Sequence, residues 1–201
     1  MGPKFKKRPK PILSLDLSNC ETATTANTSL DFNTNDYCDN CLVKQPPTKI
    51  LENLYVGAQT DVNEKFLKEN EISAVLTIQS QNIQPSDHIT QLVQELKFIS
   101  IPDLVSADIS QHFEETIDFI DRQKKTLVHC AYGKSRSVTI CIAYLMKRHR
   151  KSFSDAFQYV RHKRPIAEPN FSFLGQLLKY EKLINTENLS STGDSGLGND
   201  L

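Results

Sequence analysis

His129-Cys130-Ala131-Tyr132-Gly133-Lys134-Ser135-Arg136-Ser137 joins the apolar run Thr126-Leu127-Val128 to a helical pattern that starts near residue 135. A thiol stands at the end of a predicted strand, and an arginine follows six positions later at the start of a predicted helix. Gly133 permits a tight turn between them. A loop curled this way points successive backbone N–H groups inward and forms a nest for an anion. The helix that follows adds its N-terminal donors and the positive end of its dipole. Arg136 supplies a planar fork matched to phosphate oxygens. The same field favours a thiolate at Cys130, and a thiolate facing a cradled phosphate is a nucleophile aimed at phosphorus. The bland alternative makes Cys130 a packed thiol and Arg136 a surface charge. It leaves unexplained why an arginine, a glycine and two serines share the same few residues.

Outward from this stretch, strand-like and helix-like apolar periods alternate. Leu54-Tyr55-Val56 reads as a short strand, Asp61 to Glu69 as a helix with Phe66 and Leu67 buried, and Ala74 to Ile78 as a buried strand. Lys97 to Ile101 reads as another strand, ended by Pro102. Ser110 to Arg122 carries Phe113, Ile117 and Ile120 on one helical stripe, with Ser110 as the expected cap. Further helices are expected at about 135–149, 154–164 and 170–184. Cys141 falls within the apolar stretch Val138 to Ala143 and reads as packing. The expected fold class is α/β, a central mixed sheet of four to five strands flanked by helices.

The chain has 201 residues, 38% of them hydrophobic, which suits one domain with tails. Residues 1–45 read as a disordered arm, 46–184 as the folded unit, and 185–201 as a flexible tail with three acids and no base. No apolar run reaches the roughly 18 residues of a membrane span, and the basic start lacks the apolar region of a secretory signal. Five cysteines, an odd count, read as reduced thiols rather than a disulfide framework. Cys38-Asp-Asn-Cys41 is a lone pair with no partner pair for zinc, so no metal and no cofactor is expected. These features point to a soluble protein of the cytoplasm or nucleus, with neither membrane nor nucleic acid as partner.

Acids and bases balance at 24 each, but they are partitioned. Residues 46–129 hold 13 acids and 7 bases, whereas 130–165 hold nine bases and one acid, a balance of +8. Only Lys134 and Arg136 of that block belong to the loop. Lys147, Arg148, Arg150 and Lys151 end one expected helix, and Arg161, Lys163 and Arg164 end the next, where cations complement the dipole.

The stretch from His129 to Ser137 resembles the HCx5R signature of cysteine-dependent phosphatases, in the form typical of their dual-specificity branch. Ile50 to Gly57 is similar to that family's opening strand. Arg164-Pro165, Pro169-Asn170-Phe171 and Gln176-Leu177 are similar to its closing helices. Gly133 to Thr139 is particularly similar to small plant-type members, and Tyr132 departs from the small residue many members carry there. The resemblance implies the cysteine-dependent phosphatase fold. It also implies Ala131, Tyr132, Gly133, Lys134 and Ser135 as the substrate-binding loop, a bracing role for His129, and a hydrogen bond from Ser137 to the Cys130 sulfur.

A leaving alkoxide or phenoxide needs a proton, so a carboxylic acid should approach from another loop. Asp103 follows a strand end, where the resembling family keeps its general acid. Asp108 competes, although just before a helix it reads more simply as a dipole partner. The catalytic set is therefore Cys130, Arg136, Asp103 and Ser137. The activity implied is hydrolysis of phosphotyrosine and of phosphoserine or phosphothreonine through a phosphocysteine intermediate. An inactive phosphoprotein-binding scaffold and a phosphoinositide or RNA phosphatase are the alternatives. Lys134 keeps the inositol-lipid reading open, whereas Ala131 stands where such enzymes usually carry a second lysine. In the arm, Lys6, Lys7 and Arg8 followed by Leu13 and Leu15 resemble peptides that dock mitogen-activated protein kinases. Nuclear import and simple solubilisation remain alternatives for that segment.

Overall fold

A computed structural model describes residues 45–81 and 86–191. The expected arm at 1–45, with the basic cluster and the Cys38/Cys41 pair, therefore lies almost wholly outside the described residues, as does the last part of the tail. Five strands form one sheet in the order β1-β2-β5-β3-β4: β1 (Thr48–Leu51), β2 (Leu54–Ala58), β3 (Ala74–Gln79), β4 (Glu95–Ser100) and β5 (Thr126–Cys130). β1 runs antiparallel to β2, and the other neighbours pair in parallel. β5 is central, between β2 and β3, and all five of its residues are buried. A parallel strand covered on both faces calls for a continuous apolar run, which Leu127-Val128 supplies.

Successive side chains serve opposite faces of the sheet. Tyr55, Val75 and Leu127 join Leu67 of α1 (Glu64–Glu69) and Ile89 of α2 (Asp87–Leu92) in a small core on one side. Leu54, Val56, Leu76 and Val128 point the other way, into a larger core. There they meet Phe113, Ile117 and Ile120 of α3 (Phe113–Arg122) and the apolar face of α4 (Arg136–His149). Val160 of α5 (Phe153–Lys163) and Phe173 and Leu177 of α6 (Phe171–Ser191) complete it. Each fully buried side chain of this size contributes about 1.5–3 kcal/mol of transfer free energy. Cys141 is packed in the same core, and burial pushes its thiol well above the usual range.

The expected elements shift in ways that have local causes. The Asp61–Glu69 helix splits into a 3-10 turn, Gln59–Asp61, and α1. Asp61 is taken up in that turn by accepting the Ala58 N–H at 2.7 Å, and Asn63 caps α1 through Phe66 N–H at 3.0 Å. Ser110 opens a 3-10 turn rather than capping α3; Asp108 accepts its N–H at 3.0 Å and its hydroxyl at 2.6 Å. The segment expected to resemble a single opening strand folds back at Glu52-Asn53 to give β1 and β2. Helix α2 was not anticipated. Residues 185–191, expected as flexible tail, continue α6, where Glu187 pairs with Lys147 of α4 at 2.9 Å. Among the described residues no helix is long and apolar enough to cross a membrane.

Candidate active site

The parallel sheet delivers the C-terminal end of its central strand to the start of α4, and the loop between them carries the expected chemistry. Cys130, the last residue of β5, is buried with 1% of its surface exposed. Its sulfur is 3.2 Å from the Ser137 hydroxyl in the first turn of α4. Arg136 is buried at the helix start, and its Nη1 donates to the Ile101 carbonyl at 3.2 Å. Its Nε has no hydrogen-bond partner. A buried guanidinium N–H that makes no hydrogen bond of its own is available to an incoming anion.

The loop is held from outside by its carbonyls. Ala131 O accepts from Gln59 N at 3.3 Å, Gly133 O from Arg164 Nε at 2.7 Å, and Lys134 O from Glu168 N at 2.8 Å. In a trans peptide the carbonyl and the next N–H point in opposite directions. Fastening these three carbonyls outward therefore turns the N–H groups of Tyr132, Lys134 and Ser135 to the concave side, where a phosphate nest needs them. Gly133 has φ +65°, and a Cβ there would lie 2.6 Å from the Gly57 backbone, so glycine is required on both counts.

Asp103, not Asp108, reaches this loop. Its Oδ1 accepts from the Ser135 hydroxyl and from Asn170 Nδ2, each at 2.8 Å, while its Oδ2 lies 3.6 Å from Arg136 Nε. The Asn170 backbone N–H donates to Ser135 Oγ at 3.1 Å, closing a network across three segments. Asp108 is occupied at the Ser110 turn. His129 is buried, its Nε2 2.8 Å from Thr77 Oγ1 on β3, and burial lowers its pKa to about 4. The ring is thus neutral and ties the loop's root to the adjacent strand. Tyr132 stands exposed at the mouth, Ala131 is half-buried, and the Lys134 ammonium is held by Glu168 at 3.1 Å on the outer wall.

Arg164 does more than the sequence reading gave it. Expected as a cation ending a helix, it does stand at the C-terminal end of α5, and it is completely buried against the loop. Besides Gly133 O, it binds Pro46 O and Thr48 Oγ1 through Nη1, both at 3.0 Å. Burial draws its pKa below the ordinary arginine value, which reports the cost of the desolvated charge. Asn170, whose sequence setting shows only the start of a helix, is the second clamp on Asp103. Lys147 and Arg148 behave as the charge partition implied, serving structure instead of the site. Lys147 pairs with Glu114 and Glu187, and Arg148 with Asp118 and Asp121 of α3.

Residues 54–183 match the family described as dual specificity phosphatase, catalytic domain. Human dual specificity protein phosphatase 16 is 41% identical over 157 residues, covering 75% of this chain and 22% of its own. Arabidopsis thaliana dual specificity protein phosphatase 1 is 38% identical over 143 residues, covering 68% of this chain and 69% of its own. The crystal structure of human DUSP28 superposes with a TM-score of 0.64 at 30% identity, covering 71% of this chain and 97% of that one. The chain spans about a fifth of the length of the human relative first named.

Proposed function

The chain belongs to the dual specificity phosphatase family, and from that premise we propose that it hydrolyses phosphotyrosine and phosphoserine or phosphothreonine in proteins through a phosphocysteine intermediate. One observation supports the reading: one loop and the segment clamped to it carry the Cys130 sulfur beside the Ser137 hydroxyl, the buried Arg136 guanidinium, and the Asp103 carboxylate 3.6 Å from the Arg136 Nε. The Cys130 thiolate attacks phosphorus and the bond to the substrate oxygen breaks. Protonated Asp103 gives its proton to that leaving oxygen. Asp103, now a carboxylate, takes a proton from water as the water attacks the thiophosphoryl group. The S–P bond breaks, inorganic phosphate leaves, and Ser137 donates a hydrogen bond to the departing sulfur. Arg136 and the inward N–H groups bind the phosphoryl oxygens throughout. A decayed, binding-only pocket has no need of all four groups, which weighs against the scaffold alternative.

A phosphoprotein is favoured over an inositol lipid because Lys134 is engaged by Glu168 and Ala131 brings no second charge. We include mitogen-activated protein kinases among the substrates on the strength of Lys6, Lys7, Arg8, Leu13 and Leu15 alone. A thiol nucleophile needs a reducing compartment, and Cys130 and Cys141 are both free, so cytoplasm or nucleus is the proposed location.

The test is hydrolysis of an aryl phosphate by wild type, Asp103→Ala and Asp108→Ala. Asp103→Ala should lower kcat by about 10²–10⁴, with Asp108→Ala within about twofold of wild type; the reverse pattern moves the acid. Phosphopeptides and inositol lipids offered in parallel decide substrate class. Kinase pull-down with Leu13→Ala/Leu15→Ala decides docking.

A further inference from the structure

Seven large hydrophobic side chains are exposed among the described residues, and four of them, Leu104, Val105, Tyr132 and Phe171, stand beside the phosphate loop. Leu104 and Val105 follow Asp103, Tyr132 lies in the loop, and Phe171 follows Asn170. The Asp103–Ser135–Asn170 hydrogen bonds tie those three segments together, so the four side chains share one rim. Phe171 is 86% exposed and Val105 68%, values that packing within a monomer does not explain. Exposed apolar side chains gathered around one loop mark an interaction site.

The rim continues into a groove of about 630 Å³. Lys134 and Phe171 form its end at the phosphate loop; Phe157 and Arg161 of α5, Ile166 of the α5–α6 connection and Leu174 of α6 line the rest. The connection is latched to the loop twice, by the Glu168 N–H on Lys134 O at 2.8 Å and by the Lys134–Glu168 ion pair at 3.1 Å. A chain segment whose phosphate sits over Cys130 therefore meets this groove without leaving the surface.

We propose that the rim and groove are the docking surface for the substrate polypeptide around its phosphoresidue, and that they select a segment carrying a large apolar side chain close to the phosphate. The inference rests on the phosphatase reading. Phe171 and Leu174 grip the apolar side chain, and Arg161, whose guanidinium lies 6.0 Å from the Phe157 ring centroid, frames the far end. Phe171 and Leu174 act as specificity-determining residues; neither touches the phosphoryl group.

The experiment compares phosphotyrosine peptides that differ only in flanking residues, one series with leucine placed at successive positions on either side and one with glycine and serine alone. An aryl phosphate is measured alongside. At least one leucine placement should raise kcat/KM tenfold or more over the glycine–serine peptide. Phe171→Ala and Phe171→Ala/Leu174→Ala should cut that advantage below threefold and leave aryl phosphate turnover unchanged. Equal kcat/KM across the peptides, or an advantage intact in both variants, overturns the proposal while the phosphatase reading stands. Sedimentation with anionic phospholipid vesicles that depends on Phe171, with no peptide selectivity, overturns it in favour of a lipid surface. Absence of aryl phosphate hydrolysis by wild type overturns the phosphatase reading and the docking surface with it.

Discussion

Replacing Arg164 by Met keeps the aliphatic stem and removes the charge with its three hydrogen bonds. Gly133 O, at 2.7 Å, and Pro46 O, at 3.0 Å, then lose a buried donor. An orphaned buried acceptor costs about 1–3 kcal/mol, but relief of a desolvated guanidinium offsets part of it. The expected net loss is about 1–3 kcal/mol, or roughly 3–10 °C in Tm for a domain of this size. The catalytic effect has a separate origin. Arg164 fixes the Gly133 carbonyl outward and so fixes the Lys134 N–H inward. One misdirected oxyanion donor costs about 10²–10³ in rate when lost outright; a loop still held by Gln59 and Glu168 should lose about 10- to 100-fold in kcat. Arg164→Lys, which can still donate to Gly133 O, should recover part of the activity. The assays are thermal melting, aryl phosphate kinetics and inhibition by vanadate, a phosphate mimic. Vanadate inhibition should weaken along with kcat. Wild-type kcat and vanadate affinity in an Arg164→Met protein of lowered Tm would refute the positioning role and leave a purely structural one.

Ser137→Ala removes the hydroxyl 3.2 Å from the Cys130 sulfur. Breakdown of the intermediate should slow by about 10-fold or more, as for a lost donor to developing charge, and an initial burst of released phenol should appear before a slower steady state. His129 bears on acid stability. A histidine at about 6.5 when unfolded and about 4 when folded leaves the unfolded chain binding more protons between those values. Stability is therefore full above pH 6.5 and falls as pH drops toward 4. By pH 5 this one group removes about 2 kcal/mol, so denaturant midpoints at pH 7.5 and pH 5.0 should diverge more in wild type than in His129→Gln.

Those parts of the fold that depend on local pattern could be read from the chain. β5 and the loop after it carry an apolar run and a glycine at the loop position with positive φ, and both features are visible in residues 126–137. Cys130, Arg136 and Ser137 follow because sequence spacing fixes their geometry within one loop and one helical turn. Asp103 needed a second element, and what favours it over Asp108 is who else claims the carboxylates: Ser135 and Asn170 hold the first beside the loop, Ser110 the second away from it. Arg164 was illegible for a physical reason. A cation before a proline at a helix end normally faces water, and only the meeting of three distant carriers, Gly133, Pro46 and Thr48, turns it inward. The exposed rim was equally hidden, since Leu104 and Phe171 are 67 residues apart and their segments are joined by the Asp103–Asn170 bond.

Covalent chemistry at one sulfur is the centre of the proposed mechanism, and it can be caught directly. Wild-type protein turning over an aryl phosphate is quenched with denaturant and digested, and the phosphorylated residue is located by mass spectrometry, with Cys130→Ser carried alongside. The expected result is one phosphoryl group on Cys130 in wild type, and neither phosphoryl group nor turnover in Cys130→Ser. A phosphoryl group on any other residue, or hydrolysis that survives Cys130→Ser, would contradict it.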